Sequence, residues 1–154
     1  MLSQSGIHAI RAMVALATEA PGEYCGVAAI ANFTGSPRNY LGKLLLQLSR
    51  HGLVESRKGL GGGFRLARRA DQICLLDVMS AIEDVSRWTE CALSGRACSD
   101  VNPCMVHTRW ARAREAFLAF LRETTLAELA VNHPKIDQNA PELAREIRTL
   151  TSRS

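Results

Sequence analysis

Apolar residues recur every three or four positions across residues 7–20, with Ile7, Ile10, Met13, Val14 and Ala17 on one face. That spacing predicts a helix, and Pro21-Gly22 ends it. A second, short helix is predicted over 27–33. Thr34-Gly35-Ser36-Pro37 then reads as a turn and an amino-terminal cap, with proline just inside a third helix over 37–51. Tyr40, Leu41, Leu44, Leu45 and Leu48 form the apolar face of that helix, and Gly52 stops it. Two short strands, 53–57 and 64–67, flank the turn Lys58-Gly59-Leu60-Gly61-Gly62-Gly63 and predict a hairpin. Three helices, the last two joined tightly, followed by a hairpin is the order of a winged helix-turn-helix. The expected fold class is therefore mainly α with a small β-hairpin.

A fourth helix is predicted over 75–82, and residues 84–103 show no clear period. From 104 to 122 a long helix carries Val106, Trp110, Ala113, Ala116, Phe117, Phe120 and Leu121 on an apolar stripe. Little chain remains to cover that stripe, so a symmetric partner helix is expected to do so. Folding back onto the first helix is the alternative. Thr125 caps a short turn over 126–130, and a peripheral helix is predicted over 141–150. The expected organisation is a DNA-binding domain (1–83), a cysteine loop (84–103), a dimerisation helix with a short helix (104–130) and a tail without assigned role (131–154).

With 154 residues, 47% hydrophobic and 22% charged, the chain has the composition of an ordinary soluble globule. No run approaches the roughly 18 apolar residues of a membrane span. The amino terminus is helix-like and its first basic residue is Arg11, unlike a signal peptide. A cytoplasmic protein with no membrane partner is expected. The net charge of +4 is unevenly placed. Eight basic residues lie between Arg38 and Arg69, opposed only by Glu55. A local basic stripe points to a polyanion, here double-stranded DNA.

Ser36, Arg38, Asn39, Lys43 and Gln47 lie off the leucine face of the third helix, and Ser36, Arg38 and Asn39 fall at its start. A recognition helix needs that mixture where it meets bases and phosphates; Tyr40 joins the group from the same turn. Arg57, Lys58 and Arg65 flank the glycine tip, where a basic wing can enter a minor groove or hold phosphates. No Gly-Lys-Ser/Thr follows and no helix begins there, which disfavours a nucleotide loop.

Cys25 and Cys74 stand alone. Cys91, Cys98 and Cys104 crowd one stretch, separated by six and then five residues, and His107 follows three positions on. Three thiolates and an imidazole suit zinc or an iron–sulfur cluster, and the wide spacing favours the cluster. A cluster-free thiol/disulfide regulator on the same fold and a zinc-bound structural module remain alternatives. No general base, oxyanion-hole loop or nucleotide motif accompanies the cysteines, so an enzyme is not expected.

Residues 1–130 resemble the Rrf2 family of bacterial transcriptional regulators. The likeness rests on Gly6 to Met13, Tyr40-Leu41, Gly52-Leu53-Val54, Lys58-Gly59-Leu60-Gly61-Gly62-Gly63-Phe64, the three cysteines and Thr125-Leu126-Ala127-Glu128-Leu129. The resemblance implies a homodimeric winged-helix DNA-binding protein, expected to be a repressor, whose operator affinity follows an iron–sulfur cluster on Cys91, Cys98 and Cys104. His107 matches the histidine that completes a 2Fe–2S site in the cluster-regulator branch. The nitric oxide sensor branch holds a 4Fe–4S cluster with an aspartate from the partner's first helix, where this chain has Ile7. Next to it, His8 replaces the usual aromatic and is the alternative fourth ligand. Gly42 and Lys58 stand where glutamate and arginine are common, and the first cysteine gap is one residue longer than usual.

Overall fold

The computed structural model describes residues 2–91, 93, 95 and 101–131. Helix α1 (Gln4–Glu19) begins at Ser3, whose hydroxyl accepts from the Gly6 amide at 3.0 Å. That cap satisfies one amide that the first turn leaves without a carbonyl. Ala9, Ala12, Met13 and Leu16 are buried at helical spacing, making α1 the central element of the domain. Around it pack α2 (Val27–Thr34), α3 (Arg38–Arg50) and α4 (Leu75–Ile82). Leu41, Leu44, Leu45 and Leu48 of α3 are buried, as their spacing predicted. Each such side chain contributes about 1.5–3 kcal/mol when fully withdrawn from water.

Strands β1 (Val54–Arg57) and β2 (Gly63–Leu66) pair antiparallel, with Glu55 opposite Arg65 and Arg57 opposite Gly63. The hairpin is anchored by Cys25: its amide donates to the Phe64 carbonyl at 2.8 Å, and the Phe64 amide donates back at 2.9 Å. Gly63 makes this approach possible. Its φ is +142°, and a side chain there would run into the Cys25 carbonyl group.

Helices α5 (His107–Glu123) and α6 (Leu126–Val131) complete the described fold. Met79 and Leu75 of α4, Trp88 and Leu121 form a second core beside the first. Leu121 is the one fully buried residue of α5. Phe120 is half exposed, and Ala113 and Ala116 face solvent in the single chain.

Two differences from the sequence expectation stand out. The stretch 84–103, without period, contains a 3-10 turn over Val85–Thr89, capped by Asp84, whose carboxylate accepts from the Ser86 amide at 2.9 Å. Helix α5 starts at His107 rather than 104. Cys104 instead forms a turn in which the His107 amide donates to its carbonyl at 3.0 Å, and the helical ladder opens with Trp110 to Val106. The helix expected over 141–150 lies outside the described residues. Among the described residues, no helix is long and apolar enough to cross a membrane.

Candidate functional site

The start of α3 is a junction with α1. Arg38, Asn39 and Lys43 are exposed, as a groove-reading surface requires. Ser36, expected to face outward with them, is turned inward and is only 6% exposed. Its hydroxyl lies 2.7 Å from His8 Nδ1, and Pro37 takes the cap position that Ser36 was expected to fill. Tyr40 also leans toward α1. Its hydroxyl donates to Ser5 Oγ at 2.8 Å, and its ring meets His8 edge-on. Gln47 is drawn to the core side as well, donating from Nε2 to the Ala81 carbonyl at 2.9 Å. It thereby satisfies a carbonyl at the end of α4 that has no helical partner.

The wing carries its own electrostatic fastening. The Arg65 guanidinium pairs with the Glu55 carboxylate across the strands at 2.7 Å and stacks over the Tyr24 ring, 4.7 Å from its centroid. Arg57 lies 5.5 Å from the same centroid. A hydrogen bond from Arg65, and then its charge, hold Glu55 below the usual carboxylate range. Arg65 therefore fastens the hairpin, while Arg57 and Lys58 are exposed toward its tip.

In the cysteine region, Cys91 Sγ lies 3.7 Å from Cys104 Sγ. Cys91 is buried and Cys104 half-buried. Two thiolates bound to one tetrahedral centre through bonds of about 2.3 Å stand about 3.8 Å apart, so this pair has the spacing that a shared metal demands. Soft sulfur donors are also the set that iron–sulfur groups select. His107 opens α5 three residues beyond Cys104. Cys98 lies outside the described residues, and among the described ones no three of His, Cys, Asp and Glu assemble as a metal-holding group. The structure thus joins two of the expected ligands. His8, the alternative ligand, has its Nδ1 committed to Ser36. Cys25 and Cys74 are elsewhere, Cys25 on the wing anchor and Cys74 capping α4. Burial, with a smaller contribution from the Glu19 charge, pushes the Cys25 thiol up, the state of an inert small hydrophobe.

Sequence reasoning missed three participants: Tyr24 beneath the wing arginines, Trp88 anchoring the 3-10 turn, and Trp110 holding the segment before Cys91. Asp84-Val85-Ser86 was a usable signal for a capped turn, and Trp88 a usable one for a buried anchor. Nothing local marked Tyr24.

Residues 2–132 match the Rrf2 family, described as an iron-dependent transcriptional regulator. The chain belongs to the Rrf2 family. Its relatives include the HTH-type transcriptional regulator IscR of Klebsiella pneumoniae (strain 342), 32% identical over 152 residues, covering 96% of this chain and 93% of that protein. The structure of CymR (YrzC), the global cysteine regulator of B. subtilis, is similar with a TM-score of 0.74 at 25% identity, covering 86% of this chain and 98% of that one. IscR of T. potens gives a TM-score of 0.67 at 24% identity, covering 84% and 85%, and attests the fold alone. As an Rrf2 protein, the chain is a winged-helix DNA-binding transcriptional regulator and not an enzyme.

Proposed function

We propose that this Rrf2 protein is a cytoplasmic homodimeric repressor whose operator affinity is set by an iron–sulfur cluster on Cys91, Cys98 and Cys104. The observation that carries the reading is the Cys91–Cys104 pair, two soft donors at the separation one metal centre requires. His107 is assigned as fourth ligand, with His8 as the alternative, and 2Fe–2S is favoured over 4Fe–4S. When bound, the cluster would supply sensitivity to iron, oxidant or nitric oxide.

The protein's part is to hold the ligands and relay their state. Helix α5 packs on α4 through Leu75, Met79 and Leu121, and Gln47 ties the end of α4 to α3. A change in how the cysteine segment sits on α5 therefore reaches the recognition helix through contiguous contacts. Arg38, Asn39 and Lys43 are assigned to the major groove, and Arg57 and Lys58 to phosphates or the minor groove. The exposed residues Ala113, Ala116 and Phe120 are assigned to the α5 dimer face.

A second reading has the same pair in support: two thiols at 3.7 Å can be closed to a disulfide by an oxidant. Operator duplexes selected from a random pool separate the two. Cluster removal by an iron chelator should shift affinity about tenfold, a coupling of about 1.4 kcal/mol. An affinity that ignores iron and moves only when metal-free protein is oxidised would support the disulfide switch instead.

A further inference from the structure

Cys91 follows a 3-10 turn and itself lies in no helix or strand, yet its thiol is held beside that of Cys104. Two side chains of α5 contribute to this. Trp110 Nε1 donates to the Glu90 carbonyl at 2.7 Å, and Arg114 Nη1 donates to the Thr89 carbonyl at 3.1 Å. Trp110 and Arg114 are four residues apart, hence on one side of the helix. Thr89 and Glu90 are consecutive and immediately precede Cys91. Their carbonyls lie at the close of the 3-10 turn Val85–Thr89, where acceptors lack a following turn to bond. The turn itself is seated by Trp88, buried edge-on against Phe117 at 5.3 Å.

We propose that Trp110 and Arg114 are positioning residues for the cysteine site: together they clamp the main chain before Cys91 to α5 and so set the Cys91–Cys104 spacing. The clamp rests on the reading that these two cysteines act together, but not on which group they hold. It offers two points of attachment, enough to fix both the position and the direction of the chain as it enters Cys91. Trp88 supplies an internal comparison. Its indole is buried in the same wall, and among the described residues its N–H has no hydrogen-bond partner. Trp88→Phe therefore removes ring volume without removing a tether, whereas Trp110→Phe removes both.

The test uses the full chain, reduced, metal-free and carrying Cys98→Ser so that one pairing is observed. Diamide is the oxidant. Two S–H bonds break, one S–S bond forms, and the two hydrogens pass to the diazene, which becomes a hydrazine. The rate of Cys91–Cys104 disulfide formation, read by alkylation and peptide mass spectrometry, reports how well the thiols are held together. Trp110→Phe and Arg114→Met should each slow it by about tenfold, while Trp88→Phe should stay within about twofold because the tethers remain. Wild-type rates in both clamp variants would overturn the proposal, as would equal slowing in Trp88→Phe, or failure of the parent to form the bond. Arg114→Met touches no buried ring, so it keeps the test open should Trp110→Phe not fold. Because the protein is metal-free throughout, a chain that never takes a cluster would defeat the proposed function and leave this result standing.

Discussion

Replacing Gly63 by alanine should detach the wing. Gly63 has φ +142°, and an added Cβ would meet the Cys25 carbonyl group, within 2.6 Å of its carbon. Both obstacles are backbone, so no side chain can swing aside. The unfavourable φ costs about 1–3 kcal/mol for a residue with a Cβ. Relief of the clash opens the Cys25–Phe64 bridge, whose two hydrogen bonds measure 2.8 and 2.9 Å and are worth about 0.5–1.5 kcal/mol net each. Together these give about 2–6 kcal/mol. For a chain of this size, with about 2–4 °C per kcal/mol, the melting temperature should fall by about 4–24 °C. Gly61→Ala is the control. Gly61 also has positive φ, +71°, but nothing lies within 4 Å of an added Cβ, so only strain of about 1 kcal/mol remains. Thermal melts followed by circular dichroism give both values under one buffer. Equal shifts for the two variants would refute the argument that the wing is held through Gly63.

Lys58→Ala should weaken binding to all duplexes and reduce the slope of log affinity against log salt by about one, measured by fluorescence anisotropy. Arg38→Ala and Asn39→Ala should instead relax sequence preference, losing about 1–3 kcal/mol on operator for each bidentate base contact; equal losses on operator and random DNA would make them positioning contacts. The Glu55 carboxyl is held low in the folded chain by Arg65, so its charged form favours the fold. That contribution is complete above the unfolded value of about 4.3 and is lost as pH falls through the lower folded value. The melting advantage of wild type over Glu55→Gln should accordingly shrink below about pH 4, and a pH-independent difference would contradict the pairing. Phe120→Asp places a charge on the half-exposed face of α5 and should shift sedimentation from dimer toward monomer while leaving the helical signal intact.

The leucine face of α3, the glycine stop before β1 and the wing turn were legible because each is local: a period, a breaker, a run of glycines. The 3-10 turn at Val85–Thr89 was not, since five residues are too few for an apolar period and its cap is a single Asp84 contact. The predicted start at 104 ran ahead of Val106, the first residue of the apolar stripe, into a stretch where the chain forms a turn. Ser36 is the instructive case among the site residues. Its position outside the leucine face predicted exposure, but His8, 28 residues earlier, draws it in. Arg65 behaves alike: its charge suggested DNA, and cross-strand register placed Glu55 opposite. The cysteines were legible as a cluster of soft donors, while the proposed tethers come from Trp110, which the sequence places only on the apolar stripe, and from Arg114, which no sequence feature singles out.

Whether the cysteine triplet holds an iron–sulfur cluster is tested by the anaerobic absorption spectrum of the purified protein, with its iron and acid-labile sulfide counted per chain. The protein should be coloured, with iron and sulfide in equal amounts, about two of each per chain for the favoured cluster type. That signal should be lost in Cys91→Ala, Cys98→Ala and Cys104→Ala but kept in Cys25→Ala and Cys74→Ala. A colourless protein without iron, or one carrying zinc and no sulfide, would contradict it.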